Sequence, residues 1–495
     1  MNYKSILFFL GIYSFLVSIF SLLNIFYSIY FDVNIGINSY LITFLVSATI
    51  GLLFFFIGKN HRKNFNLTEQ LVFIFLGFVL IPFLISIPYS SSIYGINILN
   101  SYFESVSGFT TTGFSILLNI NNIDEPLLLW RSSSQWIGGL FFLVATIGTI
   151  GSKQIKIKPA YLISSGASGK NFYNNFNYNF IKIFIIYFSL TIFCIFLYSL
   201  VDLRLLDAFN LAFTSISSGG FIPDVNLSNV LRNNLQILVF SITLLFPILN
   251  FFLIYDVFTR KFSLKNYYED LHILFLILLS TLLFYFFLIP QEGFLNVFLA
   301  VTTSISTSGV FAYSSNFDSS LFFILLTVVG GSLISTSSGF KYTRIYILFK
   351  TSYQEIYRLV KPINVIDKNL FNQEVKIDDQ DVKIAFLVFL FFIISVFVLS
   401  SILTFDHLSF EDSFKLSILT LTNTVTSALY GIENLNFLDL KNSTKMSLII
   451  FMILGKIEII NEIKTKKAIF TSWSSIFDSV LNKFLSITVI GLTNL

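Results

Sequence analysis

The sequence predicts an all-α polytopic membrane protein with two leading helices and four repeated helix–pore loop–helix units around one pore. Three observations carry this. The 495 residues are 55% hydrophobic and only 12% charged, with a mean hydropathy of +0.79, whereas a soluble chain carries about 25% charged residues. Apolar runs long enough to cross a bilayer, which takes about 20 residues, recur along the whole chain. Between them, a short hydroxyl-rich stretch returns four times.

The first run, 5–30, is too long for the apolar region of a signal peptide and has no small-residue cleavage site, so it reads as a retained span. Further runs occupy roughly 39–57, 70–90, 127–150, 179–201, 234–258, 269–290, 319–349, 383–404 and 444–463. The division that follows is two leading helices (1–64), four units (65–158, 159–265, 266–368 and 369–465) and a C-terminal tail (466–495). The tail is too interrupted to predict a span, and an interfacial helix is expected.

The repeated stretches are SYFESVSGFTTTGFS (101–115), LAFTSISSGGF (211–221), AVTTSISTSGV (300–310) and LTLTNTVTSAL (419–429). Aligned on the last small residue, Gly113, Gly220, Gly309 and Ala428 form one column. Thr112, Gly219, Ser308 and Ser427 precede it, and Thr111, Ser218, Thr307 and Thr426 precede those. A short helix running into such a tract suits cation passage. A dehydrated cation needs oxygens on all sides, which rings of backbone carbonyls supply without fixed charge. Glycine lets the chain turn its carbonyls to one axis, and the negative end of the helix favours a cation there. If the fourth loop uses another geometry, Gly431 is its turning point. The alternative is that the tracts simply let helices pack closely.

Charge orients the chain. Lys59, Arg62 and Lys63, the lysines of 153–170, Arg260 to Lys265, Arg344 to Lys368 and Lys464 to Lys467 all fall on one side when the N-terminus is cytoplasmic. The other side holds Arg204, Arg232, Lys441 and Lys445 as its main cations. It also holds a set of acids, Glu104, Asp207, Glu292, Glu411 and Asp412, with Asp224 and Asp318 after the second and third loops. These acids either concentrate cations at the mouth or serve the helix dipoles. The 151–178 and 350–382 connections are too short for enzymatic domains but long enough to dock a cytoplasmic partner.

The +4 formal charge is too small and dispersed for nucleic-acid binding. A lone cysteine, Cys194, and three scattered histidines make no disulfide or metal framework. No cofactor is expected, and no nucleotide motif occurs.

The eighth run contains Gly330, Gly331, Ser335, Thr336, Ser337 and Gly339 within ten weakly helical residues. Irregular backbone at membrane depth must be buried in protein or line a wet cavity. Lys456 sits among apolar residues of the last run, where a cation needs oxygens. It either meets such oxygens, snorkels to the cytoplasmic interface, or pairs with Glu458 or Glu462.

FESVSGFTTTGFS (103–115), WRSSSQWIGG (130–139), SISSGGF (215–221), STSGV (306–310), GGSLISTSSGFKYTR (330–344) and LGKIE (454–458) resemble the corresponding motifs of the Trk/Ktr/HKT superfamily of potassium transporters. The two leading helices look most like its Trk-type membrane, pore-forming subunit. The resemblance spans about residues 65 to 465. It implies K⁺ uptake across the cytoplasmic membrane through a four-loop filter made by the columns above, with the 330–339 loop and Lys456 as a gate beneath it. It also implies a homodimer and a separate cytoplasmic ring of nucleotide-binding regulatory subunits. Two positions depart from the pattern: Ala428 stands where glycine is usual, and Lys456 where arginine is usual. The alternatives are a Na⁺-permeable or Na⁺-coupled carrier and, more distantly, a polytopic enzyme of the lipid-linked sugar transferase type.

Overall fold

The computed structural model describes residues 3–33, 36–60, 67–91, 95–117, 120–150, 176–259, 263, 267–288, 293–311, 320–360, 369–372, 377–432 and 435–458. The expectations placed on most of the 151–178 connection, on Glu292 and Asp318, on Arg260, Lys261 and Lys265, and on the tail lie outside these residues.

Among the described residues, the long apolar runs are largely helical. Two leading helices, α1 (Tyr3–Tyr30) and α2 (Ile37–Gly58), form a hairpin. They approach closely at paired glycines: a Cβ added at Gly11 would lie 3.1 Å from the Gly51 carbonyl. Small residues allow such backbone approach in a membrane. Helix α1 carries the pair onto the first unit, with Tyr13 edge-on to Phe141 at 4.9 Å. Helix α2 leaves Leu45, Leu53 and Phe56 exposed, as lipid contact requires. Six helices among the described residues are long and apolar enough to cross a membrane. The chain is a multi-pass membrane protein.

The first unit contains α3 (Leu67–Ile85), the short α4 (Ile98–Phe109) and α5 (Glu125–Ile150). The second contains α6 (Phe176–Leu200), short α7 (Leu205–Ser217), α8 (Asn234–Thr243) and α9 (Phe251–Phe258). The third contains α10 (Tyr268–Leu283), short α11 (Phe294–Ile305), α12 (Ser320–Val329) and α13 (Tyr342–Val360). The fourth contains α14 (Asp379–Thr404), short α15 (Phe410–Leu421) and α16 (Asn442–Glu458). The short helices have 12 or 13 residues, about 18–20 Å long, so each reaches only part-way across a bilayer. Caps start two of them: Asn97 accepts from the Asn100 amide at 2.8 Å, and Ser409 from the Asp412 amide at 3.1 Å.

The run 234–258 is not one helix, as its apolar composition suggested. It breaks between α8 and α9, at the segment holding Pro247, whose ring cannot continue a helix and which donates no N–H. The eighth run breaks opposite it, between α12 and α13. The two breaks satisfy each other: Ser332 N–H donates to the Ile248 carbonyl (2.8 Å), Ser337 N–H to Pro247 (3.1 Å) and Phe251 N–H to Ile334 (2.7 Å). Buried backbone groups freed by one break therefore find partners in the other. In the acid run 378–381, Asp378 and Asp381 form a capping box that starts α14.

Candidate functional site

The four short helices end in the same way. After each comes a residue in the left-handed region: Thr111 (φ 57°), Ser218 (54°), Thr307 (62°) and Asn423 (50°). The next amide returns to the carbonyl five residues earlier, Thr112 to Ser107, Gly219 to Thr214, Ser308 to Thr303 and Thr424 to Leu419, at 2.9–3.1 Å. This shared register brings Gly113, Gly220 and Gly309 together with Val425. A Cβ at Gly113 would lie 2.8 Å from Gly220 Cα, and one at Gly309 would lie 2.8 Å from the Val425 carbonyl oxygen.

The fourth member of the column is therefore Val425, not Ala428. Asn423 and Thr424 take the places expected of Thr426 and Ser427. Ala428 lies farther on, in a 3₁₀ turn over Ala428–Tyr430 that ends at Gly431 with φ 69°. Alignment by residue size fails because the register is set by the helix end. Asparagine, which enters the left-handed region more readily than most residues, was the available signal.

Hydroxyls within each of three loops bond to one another. Thr110 and Thr112 bond at 2.8 Å, Thr303 and Ser308 at 2.7 Å, and Thr422 and Thr424 at 3.0 Å. Asn423 Nδ2 crosses to Thr112 Oγ1 (3.0 Å) and to the Met452 carbonyl (2.9 Å), joining the fourth loop to the first and to α16. Thr111 differs: its Oγ1 is buried and finds no hydrogen-bond partner among the described residues.

Glu104 is not a mouth charge. It lies inside α4, fully buried, and accepts from Arg131 Nε (3.0 Å), Ser115 Oγ (3.0 Å) and Ile116 N–H (2.9 Å). Arg131 also stacks on Phe221, 4.2 Å from the ring centroid. The pair braces the first loop from behind. Asp207, Glu411 and Asp412 do occupy first turns of their short helices. The cations of that side are engaged locally. Arg204 pairs with Glu125, Lys441 with Asp406, and Lys445 donates to Asn100 Oδ1 at 2.9 Å.

The segment 330–341 docks onto the inner ends of two loops. Ser218 Oγ donates to the Thr336 carbonyl (3.1 Å), Thr336 Oγ1 to Ile216 (2.9 Å), and the Ser338 amide to Thr307 Oγ1 (2.9 Å). Gly330 (φ 63°) and Gly339 (φ 83°) form its neck; a Cβ at Gly339 would lie 3.0 Å from Gly330 Cα. Gly331 N–H donates to Ser337 Oγ at 3.1 Å, and Ser335 bonds to Ser337 at 2.9 Å. Lys456 does not snorkel, and the alternative of a pair with Glu458 or Glu462 lies outside the described side chains. The lysine is fully buried, donates to Ser338 Oγ at 2.5 Å, and lies 4.6 Å from the Phe142 ring centroid.

A second lysine, Lys341, is the residue that sequence reasoning missed. It is fully buried with φ 75°, and its Nζ donates to the carbonyls of Ser332 (3.1 Å), Ser335 (3.3 Å) and Ser337 (2.6 Å) and to Ser335 Oγ (2.9 Å). Glu269, at the start of α10, accepts from Ser332 Oγ, the Leu333 amide and Thr343 Oγ1. A lysine closing a serine-rich run at membrane depth was the available signal for it.

The model of the TrkH family, described as cation transport protein, matches residues 292–472. Over 443 residues the chain is 26% identical to an uncharacterized cation transporter of Methanocaldococcus jannaschii, covering 84% of this chain and 89% of that one. The chain is similar to the Trk-type membrane subunits in these matches. The Trk system potassium uptake protein TrkG of Escherichia coli is likewise 26% identical over 439 residues, 85% of this chain and 89% of that one. The crystal structure of the potassium transporter TrkH from Vibrio parahaemolyticus superposes with a TM-score of 0.79, covering 93% of this chain and 98% of that chain. At 21% identity this likeness speaks for the shared all-helical fold. These relatives are named as transport proteins and not as enzymes, which removes the transferase alternative.

Proposed function

We propose that the protein takes up K⁺ across the cytoplasmic membrane, passively and down the electrochemical gradient, through a filter formed where the four loops meet. The observation that carries this reading is the convergence of four helix C-terminal ends on one set of glycine-bearing loops without any charged side chain in the column. Helix ends contribute about half a negative charge each, and carbonyl and hydroxyl oxygens replace a cation's water. The unpartnered Thr111 hydroxyl is one such oxygen. The names of the relatives agree with K⁺ as cargo.

In this reading the 330–341 segment, held against the second and third loops, is the gate, and Lys456 beneath it repels entering cations. The N-terminus is cytoplasmic, as the distribution of lysine and arginine favours. The working assembly is a homodimer on a cytoplasmic ring of nucleotide-binding regulatory subunits. The second reading, a Na⁺-permeable carrier, draws on Val425, which gives one side of the filter a side chain where the others have none.

Purified protein in liposomes, with K⁺ inside and tracer ⁸⁶Rb⁺ outside, tests the proposal. Tracer uptake that K⁺ competes away is expected. Uptake that Na⁺ competes away as well as K⁺ does would favour the second reading, and no uptake with or without a regulatory subunit would refute both.

A further inference from the structure

In the structure, the Val425 side chain approaches all three glycines of the column, and Thr424 approaches one of them, its Cγ2 2.8 Å from a Cβ added at Gly309. A Cβ added at Gly220 would fall 2.5 Å from Val425 Cβ and 2.9 Å from its Cγ1. One at Gly309 would fall 3.0 Å from the same Cγ1, and one at Gly113 would fall 3.1 Å from Val425 Cβ. Contacts under 3.0 Å, as at Gly220, are essentially never seen for real Cβ atoms, and those of 3.0–3.4 Å, as at Gly309 and Gly113, are tight, so the Val425 isopropyl group occupies space that the other three loops leave by having no side chains. It is a knob in a three-glycine hole. The glycines themselves are fully buried, whereas Val425, Thr426, Ser427 and Ala428 are partly exposed. Val425 thus lies at the boundary between the accessible side and the buried column.

We propose that Val425 is the residue that sets permeation and ion choice in this filter, an aliphatic stopper seated among Gly113, Gly220 and Gly309. This rests on the four-loop reading above. An ion passing this level must push the side chain aside. A β-branched residue has few places to go, because its χ1 is restricted. The path is also dry on that side, so an ion there exchanges water for carbonyls on three sides and for methyl groups on the fourth. Both effects slow passage, and the second weakens the match to an ion that needs a full cage of oxygens. Valine is not required by the backbone, since position 425 does not adopt the positive φ found at Gly113 (85°) and Gly309 (71°). Gly220, in the second loop, shares this ordinary backbone.

The test is a volume series, V425A and V425G, with V425T as the variant of equal shape and altered polarity, each in liposomes with ⁸⁶Rb⁺, K⁺ and Na⁺. Flux should rise from valine to alanine to glycine by roughly two- to tenfold, the range expected when a side chain no longer has to leave its rotamer. The preference for K⁺ over Na⁺ should rise with it, and V425T should exceed the wild type at nearly unchanged size. Flux and ion order unchanged across all three variants would overturn the proposal while leaving the four-loop pathway standing. Absence of cation flux in every variant would instead sink the pathway and this inference together.

A second measurement does not depend on how much the variants transport. Cys194 is buried and is the chain's sole cysteine, so V425C introduces the one accessible thiol. A charged thiol reagent added from the outside should modify V425C, and high K⁺ should slow the reaction by occupying the same space. A thiol that reacts at the same rate with and without K⁺ would place Val425 off the ion path and overturn the proposal.

Discussion

The first and fourth loops share a backbone device and differ in nearly everything else. In both, a 12-residue helix ends in a left-handed residue and an amide that returns five residues. The first loop then has glycine in the column and a buried carboxylate, Glu104, seven residues before its left-handed Thr111. The equivalent positions are Leu211, Ala300 and Leu416 in the other loops, all buried and apolar. The fourth loop has valine in the column and holds its place through Asn423, which bonds outward to the first loop and to α16. One loop is braced from behind by charge, the other tied from the side by an amide. A common geometry can therefore be kept without a common composition.

The largest effect should come from cutting the brace. In E104A, Arg131 would remain buried, 2% exposed, without its carboxylate. Removing one partner of a buried pair costs about 3–5 kcal/mol. The variant should show a strongly reduced yield of folded protein and a lower thermal midpoint, while L416A at the matching place in the fourth helix loses packing alone, about 2–5 kcal/mol. The two costs overlap, and ionic strength does not separate them. Little response to ionic strength is expected in either, because the pair is buried. Full rescue of E104A by E104Q would show that hydrogen bonding and not charge holds Arg131.

The next effect contrasts two buried lysines that share one aromatic neighbour, Phe142, at 5.9 Å for Lys341 and 4.6 Å for Lys456. Lys341 gathers three carbonyls of its own loop, so K341M strands acceptors and should cost about 2–3 kcal/mol, hydrogen bonds to charged groups being worth about that. Lys456 touches the loop through one hydroxyl, so K456M should leave the thermal midpoint within a few degrees and raise maximal cation flux with ion order preserved. Equal destabilisation by both variants would make Lys456 a second structural staple and remove it from the gate.

These contrasts show what was legible in the sequence. Helices and their order follow from long apolar runs, and the break at 330–339 from glycine and serine in a place where an uninterrupted helix would be apolar. The break at Pro247 was visible too, but surrounding phenylalanines and leucines masked it. The roles of Glu104 and Lys341 were hidden for a different reason. A charge in a membrane sequence announces that it has partners, yet the partners lie across the fold, in Arg131 for one and in backbone carbonyls for the other. The register of the fourth loop was hidden because small residues were taken as the marker, whereas the geometry follows the helix end.

The smallest expected differences, between neighbouring variants, test that last point at one residue. Asn423 does two jobs: it adopts φ 50° and donates to Thr112 and Met452. N423G keeps the left-handed turn and loses the bonds, while N423A loses both. The backbone term for alanine is about 1–2 kcal/mol, so N423A should be less stable than N423G by about that amount. N423G should in turn fall below the wild type by about 1–2 kcal/mol, for two neutral hydrogen bonds. Thr111 supplies the control in the first loop, because it has the same left-handed backbone (φ 57°) and a hydroxyl with no hydrogen-bond partner among the described residues. T111G loses no hydrogen bond and should stay within about 1 kcal/mol of the wild type, relief of φ opposing the added freedom of the unfolded chain. The comparison is read from thermal midpoints of the wild type and the three variants in one detergent. If N423G matches T111G, the cross-loop bonds of Asn423 contribute nothing, and the fourth loop is held by its turn and by Val425 alone.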